Sequence, residues 1–389
     1  MFPFDFYNPT KVLFGKGKVS SLGQEIKSAG ISRVLLHYGK NSIFKNGVYD
    51  AIKATLEKNG IQFFELGGVK PNPVLSKVQE AIDIIRENNI EGIIAAGGGS
   101  VIDSAKAIAA GAVYEGNVWD FFEWKARPQG ALPIFTVLTL SATGSEMNPF
   151  GVITKEDENK KWAFSGGDYT YPKVSVIDPT FQFFLPKNQT VNGAVDAMSH
   201  IFELYFDGTP ENDVIDSYSE GMLKTIMKHV KILLNEPSNL ESRSQLALCA
   251  TLALNGTNAV GRQGGDWATH SIEHSVSAFY DIAHGEGLAI LFPAWMTYNF
   301  EKAFPKLAVL AEKLFGITKG SEKEKGLKFI QELRDFYKSI GAPVTLKEVG
   351  VKADDLEKMA NNAALQAPLG KLAKLNREDI LNIYKLAFK

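Results

Sequence analysis

The sequence predicts an α/β domain built on a parallel sheet, followed by an all-helical domain. Short apolar runs alternate with amphipathic stretches through the first half of the chain, a pattern typical of buried strands and the helices that cover them. Beyond residue 187 the strand-like runs disappear and hydrophobic residues recur with a helical period. A chain of 389 residues is also long for one core, since domains commonly hold about 150 residues. We therefore predict two domains, 1–187 and 188–389.

The individual elements follow from their residues. Runs rich in β-branched and aromatic residues predict strands at 33–38, 62–66, 91–98, 134–140 and 173–178. Apolar residues three and four apart predict helices between them at 46–60, 75–89 and 100–113. The polar stretch 154–167 predicts a hairpin and a loop. The same helical spacing predicts second-half helices at 191–206, 211–234, 241–260, 267–279, 285–300, 303–316, 322–340 and 353–365. Ligands are expected in the cleft between the two domains.

Composition excludes several classes of function. The net charge is -2 and the pI about 6.4, whereas a protein that binds nucleic acid needs a basic face, so we expect no nucleic-acid partner. No apolar run reaches the roughly 18 residues of a membrane span, and the N-terminus lacks the pattern of a secretory signal. We therefore expect a cytoplasmic protein without membrane contact. Cys249 is the single cysteine, which excludes an internal disulfide and a cysteine-based zinc site.

A glycine-rich turn lies between a predicted strand and the helix after it. Gly97, Gly98, Gly99 and Ser100 would let bare backbone approach a diphosphate, and the helix start would offer N–H donors. The spacing is not the usual dinucleotide fingerprint G-x-G-x-x-G, because Ile102 stands where the last glycine would be. Taken alone, the turn fits a purely structural role equally well.

A second loop, TLSATGSE, carries several hydroxyl groups at the end of another predicted strand. Thr139, Ser141, Thr143 and Ser145 are suited to hydrogen-bond ribose, phosphate or carboxamide. The alternative is a loop whose hydroxyls cap its own backbone, which is the commoner use of such residues.

The turn after the strand at 33–38 bears on the choice of nucleotide. A Rossmann-type enzyme that selects NAD places an acid here, against the ribose 2′-hydroxyl. This chain has Gly39, Lys40, Asn41 and Ser42, which offer space, a positive charge and donors to a 2′-phosphate. We therefore predict that NADP(H) is favoured over NAD(H). A plain surface turn is the alternative.

Histidines and one aspartate show the spacing of metal ligands. Asp196 and His200 are four residues apart in a helix-like segment, so they project from one face. His270 and His274 repeat that spacing, and His284 stands at a break before the next apolar helix. Imidazole nitrogens with one carboxylate oxygen suit iron(II) or zinc(II) better than calcium or magnesium. Taken singly, each pair also fits a surface helix pair or a histidine packed in a core.

Taken together, GGGSxxDxAK, TxxxTGSE, GAVDAMSHIFE and HSIEHSVSAFYDIAHGEGLA resemble the iron-containing (group III) alcohol dehydrogenases, in particular their butanol dehydrogenase branch. The resemblance covers roughly residues 5–385. It implies a dehydroquinate synthase-like architecture, in which an α/β dinucleotide-binding domain precedes a helical one. It also implies a homodimer whose N-terminal strand pairs across the subunit edge.

The resemblance further implies specific site residues. It assigns the metal to Asp196, His200, His270 and His284, leaves His274 outside the ligand set, and favours iron(II) over zinc(II). Lys161 matches a family lysine near the cofactor. The other residues that it places along the cofactor are Gly97, Gly98, Ser100, Asp103, Thr139 and Thr143. TLSATGSE departs from the family's common TTAGTGSE, and with the YGKNS turn it resembles the branch that prefers NADPH.

These features predict an NAD(P)-dependent alcohol dehydrogenase that interconverts short-chain primary alcohols, such as butanol, and aldehydes. The metal would act as a Lewis acid on the substrate oxygen while a hydride passes to or from nicotinamide. His274 is predicted to relay a proton or orient the substrate, with simple packing as its alternative role. Phe150, Trp267 and Phe279 would form an apolar wall, with a place in the core as their alternative. Two other functions stay open: a dehydroquinate synthase-type lyase that retains its NAD, and a non-catalytic nucleotide- or metal-binding protein.

Overall fold

A six-stranded parallel sheet forms the first half of the chain in the computed structural model, which describes all 389 residues. Its strands are β1 (Lys11–Phe14), β2 (Arg33–Tyr38), β3 (Gln62–Leu66), β4 (Gly92–Gly97), β5 (Ile134–Leu138) and β8 (Val174–Ile177). A separate antiparallel hairpin pairs β6 (Phe150–Lys155) with β7 (Lys160–Ser165). The predicted parallel sheet is confirmed.

The sheet is covered on both faces, as continuous apolar strands require. Alternate residues of β2 point to opposite faces: Val34 and Leu36 join one hydrophobic cluster, and Leu35 joins the other. The first cluster packs α1 (Leu22–Ser28) and α3 (Val48–Asn59) on the sheet, and the second packs α4 (Leu75–Asn88) and α5 (Gly99–Ala112).

The strand order is β1-β8-β5-β4-β2-β3, and all neighbours are parallel. The chain runs outward from β2 to β3 and then returns to place β4 on the other side of β2. The direction of winding therefore reverses between β2 and β4. In open α/β sheets, ligands bind outside the carboxyl ends of the strands at such a reversal. The turns that follow β2 and β4 are two of the three loops from which the sequence predicts nucleotide binding, and the third follows β5.

The second half of the chain is helical, as predicted. Its helices are α6 (Lys187–Tyr205), α7 (Asp213–Asn235), α8 (Leu240–Ala253), α9 (Ala268–Tyr280), α10 (His284–Tyr298), α11 (Phe300–Phe315), α12 (Glu322–Ser339), α13 (Leu356–Ala363) and α14 (Arg377–Phe388). The first half also contains the short helix α2 (Ser42–Lys45). Helix α14 was not predicted from the sequence. None of the helices combines the length and the apolar character that a membrane span needs.

The chain divides into two compact units. One holds the sheet and comprises Tyr7–Pro186 with Glu236–Thr251; the other comprises Met1–Phe6, Lys187–Asn235 and Leu252–Lys389. Within the sheet unit, Ala247 of α8 belongs to one of the two hydrophobic clusters of the sheet. The division into folding domains at 1–187 and 188–389 stays a prediction.

Candidate metal centre and nucleotide site

Helix α6 carries Asp196 and His200 on one buried face. Their separation of four residues stacks the two side chains one turn apart, and both residues are almost fully buried. Such burial is unusual for a carboxylate, because moving a charged group out of water is costly unless another group compensates it.

Two further histidines converge on the same carboxylate oxygen. His270 projects from α9, and His284 is the first residue of α10. Asp196 Oδ1 lies 3.7 Å from His200 Nδ1, 4.0 Å from His270 Nε2 and 3.8 Å from His284 Nε2. The structure therefore brings together all four residues predicted as metal ligands.

The chemistry of this cluster fits a divalent cation. Ligand atoms of Asp196, His270 and His284 all lie within 4.8 Å of one another. His200 Nδ1 is buried without a hydrogen-bond partner. Burial, and then the neighbouring His270, hold the pKa of His200 well below its ordinary value, so this imidazole is neutral and can donate a lone pair to a metal. Three nitrogens and one carboxylate oxygen suit iron(II) or zinc(II).

Two buried glutamates, which were not among the predicted site residues, contact these histidines. His270 Nδ1 lies 2.8 Å from Glu203 Oε1, and His284 Nδ1 is hydrogen-bonded to Glu273 Oε2. The helical spacing of the sequence could have identified both glutamates. Glu203 follows His200 by three residues, and Glu273 follows His270 by three, so each lies on the ligand-bearing side of its helix.

Burial raises the pKa of Glu203 to about 8, although backbone N–H groups of α9 and of the residues just before it oppose the shift. A cation bound beside His270 would lower this pKa, because a nearby positive charge favours the carboxylate.

The glycines of the HGEG motif make room for these contacts. A Cβ on Gly285 would lie 2.3 Å from the Asn192 carbonyl oxygen of α6, and one on Gly287 would lie 2.6 Å from Glu273 Oε1. Both distances are far shorter than real side-chain contacts. The missing side chains therefore allow α10 to approach α6 and Glu273 closely enough to deliver His284.

His274 stands beside the metal cluster. It is half-buried, and its ring centroid lies 5.4 Å from that of His284. One of its nitrogens also forms a compact group with Glu273 and His284. This position is compatible with the predicted proton relay, which stays a prediction.

Of the three residues predicted as an apolar wall, Trp267 alone packs on the histidines. Its ring centroid lies 5.4 Å from that of His270 and 6.2 Å from that of His200. Phe279 instead lies under the ammonium group of Lys358, 4.5 Å from Nζ. Phe150 begins β6 and is 44% exposed.

The glycine turn in the sheet unit has the form of a phosphate cradle. Gly97 ends β4, Gly98 precedes α5, and no side chain caps this helix start, so its N–H groups can serve an anion. Close packing also requires glycine at two of these positions. A Cβ on Gly97 would lie 2.4 Å from Val101 Cγ2, and one on Gly99 would lie 2.4 Å from Thr143 Oγ1.

Three predicted cofactor residues adjoin this turn. The Thr139 N–H donates to the Gly97 carbonyl over 2.9 Å, and Thr143 Oγ1 accepts from the Ser145 N–H over 3.1 Å. The Ser100 hydroxyl donates to the Pro71 carbonyl oxygen. The loop TLSATGSE therefore lies against the glycine turn. Contact of these residues with a cofactor stays a prediction.

Asp103 lies below this loop in a buried polar network. Its Oδ1 accepts from the Ser145 hydroxyl over 2.5 Å, and its Oδ2 accepts from the Val152 N–H over 3.1 Å. Lys106 Nζ donates to the same Ser145 hydroxyl over 2.7 Å and to the Phe150 carbonyl oxygen. Burial lowers the pKa of Lys106 to about 7 and raises that of Asp103. This geometry gives Asp103 a supporting role beneath the loop, and its predicted contact with the cofactor is untested.

The remaining predicted cofactor residues lie on β7 and in the turn after β2. Lys161 is buried on β7, opposite Thr154 of β6. In the turn, the Gly39 carbonyl accepts from the Gly68 N–H over 2.7 Å. Lys40, Asn41 and Ser42 are exposed there.

Comparison with family models extends these observations over nearly the whole chain. Residues 9–179 match the model described as iron-containing alcohol dehydrogenase. Residues 190–388 match the model described as the C-terminal part of the Fe-containing alcohol dehydrogenase family. The first match contains the nucleotide loops, and the second contains the histidine cluster.

Individual relatives agree with the family models. The chain is 43% identical to NADH-dependent butanol dehydrogenase A of Clostridium acetobutylicum, with 100% of each chain covered. It is 35% identical to the NADPH-dependent aldehyde reductase YqhD of Escherichia coli, over 91% of this chain and 90% of that one. Among solved structures, NADH-dependent butanol dehydrogenase A from Thermotoga maritima superposes with a TM-score of 0.98 at 51% identity, covering 100% of this chain and 99% of that chain.

Proposed function

Because the chain belongs to the iron-containing alcohol dehydrogenase family, we propose that it interconverts short-chain primary alcohols, such as butanol, and their aldehydes. It is an NAD(P)(H)-dependent oxidoreductase of alcohols and aldehydes, like its relatives. The substrate range is the proposed part. The names of the relatives at 43% identity, which specify butanol, support it.

One observation supports the proposal of metal-dependent chemistry: nitrogens of three imidazoles lie within 4.0 Å of a single buried carboxylate oxygen. We assign Asp196, His200, His270 and His284 as the metal ligands. A divalent cation held there would supply a Lewis acid to the substrate oxygen, and a bound nicotinamide would supply or accept the hydride.

The protein's own residues bind and orient the reactants. Gly97, Gly98 and the uncapped start of α5 offer backbone N–H groups to the diphosphate. Trp267 packs against His200 and His270, where its ring would help to keep water from the metal. His274 is placed to hold or pass the proton of the substrate hydroxyl, since a histidine exchanges protons near neutral pH.

The preference for NADP(H) over NAD(H) belongs to the proposal. It is supported by Lys40, which is exposed in the turn after β2, and by the absence of any acidic residue from Gly39 to Asn46. The names of the relatives include both nucleotides: the enzyme from Clostridium acetobutylicum is called NADH-dependent, and the enzyme from Escherichia coli is called NADPH-dependent. The donor set fits either iron(II) or zinc(II), and the family description supports iron(II) in preference to zinc(II).

The His270→Ala variant tests the metal assignment. After reconstitution with iron(II), we expect its metal content and its rate of aldehyde reduction to fall by more than about 100-fold, since losing only an outer partner of a ligand costs 10–100-fold. Metal analysis by mass spectrometry and nicotinamide absorbance measure the two effects. His229→Ala, which removes an imidazole from α7, is the control and should keep both values. Undiminished metal in His270→Ala would refute the assignment.

The Lys40→Ala variant tests the nucleotide preference. We expect KM for NADPH to rise roughly 5-fold, equivalent to ~1 kcal/mol for an exposed ion pair, while KM for NADH changes less than about 2-fold. Lys45→Ala, which removes a neighbouring exposed lysine from α2, serves as control. Steady-state kinetics with butyraldehyde decide the matter, and equal changes for the two nucleotides would exclude a 2′-phosphate contact at Lys40.

A homodimer is also proposed. Strand β1 forms one edge of the sheet, and an unpaired strand edge readily adds another strand. Just before it, Phe2, Phe4, Phe6 and Tyr7 are each more than 40% exposed, and a second subunit would cover them. Light scattering after gel filtration should give about twice the chain mass of 42.6 kDa. A monomer at micromolar concentration would contradict this proposal.

We further propose a cytoplasmic location. Cys249 is a buried free thiol, and burial raises its pKa to about 11, as suits an unreactive thiol in a reducing compartment. Cell fractionation would test this, and recovery outside the cytoplasmic fraction would contradict it.

A further inference from the structure

Glu203 is a buried carboxylate near the metal centre that is not itself a proposed ligand. It lies on α6, three residues after His200, and it is 1% exposed. The fold has brought an acidic side chain into the interior at the point where α9 begins, and such burial calls for several hydrogen-bond donors.

The donors come from the start of α9 and from one ligand imidazole. Glu203 Oε1 accepts from the His270 backbone N–H over 3.0 Å and lies 2.8 Å from His270 Nδ1. Its Oε2 accepts from the Trp267 N–H over 2.6 Å. One carboxylate therefore holds both the backbone and the ring of His270, together with the residue that precedes α9.

This contact fixes the proton on the imidazole. Both oxygens of Glu203 already accept from backbone N–H groups, and a cation bound beside His270 would favour the carboxylate form. In that form Glu203 only accepts, so His270 Nδ1 carries the hydrogen and Nε2 carries the lone pair. Nε2 is the nitrogen that faces Asp196 Oδ1, at 4.0 Å. Without the carboxylate, the ring could rotate or move its proton to the nitrogen that must bind the metal.

The same carboxylate holds Trp267 in an uncommon conformation. Trp267 has φ +62°, a left-handed backbone that bulky residues rarely adopt. This turn directs its N–H toward Glu203 and places its ring beside His270 and His200. The indole N–H is held in turn by the Gly264 carbonyl, at 2.7 Å.

We propose that Glu203 is a positioning residue that presets His270 for the metal and holds Trp267 against the histidine cluster. It acts on the metal only through His270. Glu273 makes a comparable ring contact with His284, but Glu203 in addition binds backbone N–H groups at the start of the partner helix. This inference rests on the proposed metal centre.

The experiment compares cobalt(II) binding to metal-free protein in the wild type, Glu203→Gln and Glu220→Gln. Glu203→Gln keeps the size of the side chain but replaces one carboxylate oxygen by an NH2 group. This group is a donor, so it cannot accept from the N–H groups that Glu203 faces. We expect its Kd for cobalt(II) to rise about 10–100-fold and the visible ligand-field bands of bound cobalt to shift. Glu220 is the matched control, because it is partly buried on α7 and accepts from the Tyr205 hydroxyl over 2.9 Å; Glu220→Gln should leave Kd and spectrum unchanged.

A Glu203→Gln protein with wild-type Kd and spectrum overturns the inference, even if its melting temperature falls. That result would mean that Glu203 only caps the start of α9 and does not position the metal ligand. If Glu203→Gln does not fold, Glu203→Asp serves instead. Glu203→Asp retains the carboxylate but its side chain is one methylene shorter. We expect a higher Kd for cobalt(II) and shifted ligand-field bands. Unchanged values in that variant also overturn the inference. A wild-type protein that binds no cobalt, iron or zinc would instead contradict the metal centre itself.

Discussion

The burial of the Asp196 carboxylate is the constraint on which the helical part of the molecule depends. A carboxylate that is 2% exposed requires compensation, because the cost of removing a charge from water is several kcal/mol even after relaxation. The imidazoles around it cannot all provide that charge, since His200 is held neutral by its surroundings. In the proposed metal centre, a bound cation would compensate the carboxylate and accept lone pairs from neutral imidazole nitrogens. The proposed ion would therefore account for the convergence of α6, α9 and α10 on this carboxylate.

The remainder of the site serves to bring these helices close and to aim their side chains. Gly285 and Gly287 remove the side chains that would keep α10 away from α6 and from Glu273. Glu203 and Glu273 each hold one imidazole by the nitrogen that does not face Asp196. In the sheet unit, the glycine turn and the hydroxyl loop rest on a buried network of Asp103, Lys106 and Ser145. In both units, buried ionisable groups therefore lie beneath the residues that are proposed to bind the metal or the nucleotide.

Local sequence patterns were sufficient for most of the fold, whereas the predicted ligand set also needed the family resemblance. Five strands and the helical second half were predicted because apolar periodicity reports burial directly. Spacing nominated Asp196, His200, His270, His274 and His284 as candidate ligands, and the family resemblance left His274 out of the predicted set. Helix α14 was not predicted, although Asn376 and Asp379 form a clear capping box at its start. Glu203 and Glu273 were overlooked because a glutamate on a helix is usually a solvated residue. That Ala247 of α8 packs on the sheet could not be predicted, since the contact depends on tertiary structure alone.

The claim that one metal ion occupies the cluster is tested most directly by anomalous diffraction. Crystals of the protein reconstituted with iron(II) would be measured above and below the iron absorption edge. The account predicts a single anomalous peak in each subunit, contacted by Asp196, His200, His270 and His284. A peak at another position, or no peak in crystals of protein that reduces aldehydes, would contradict it.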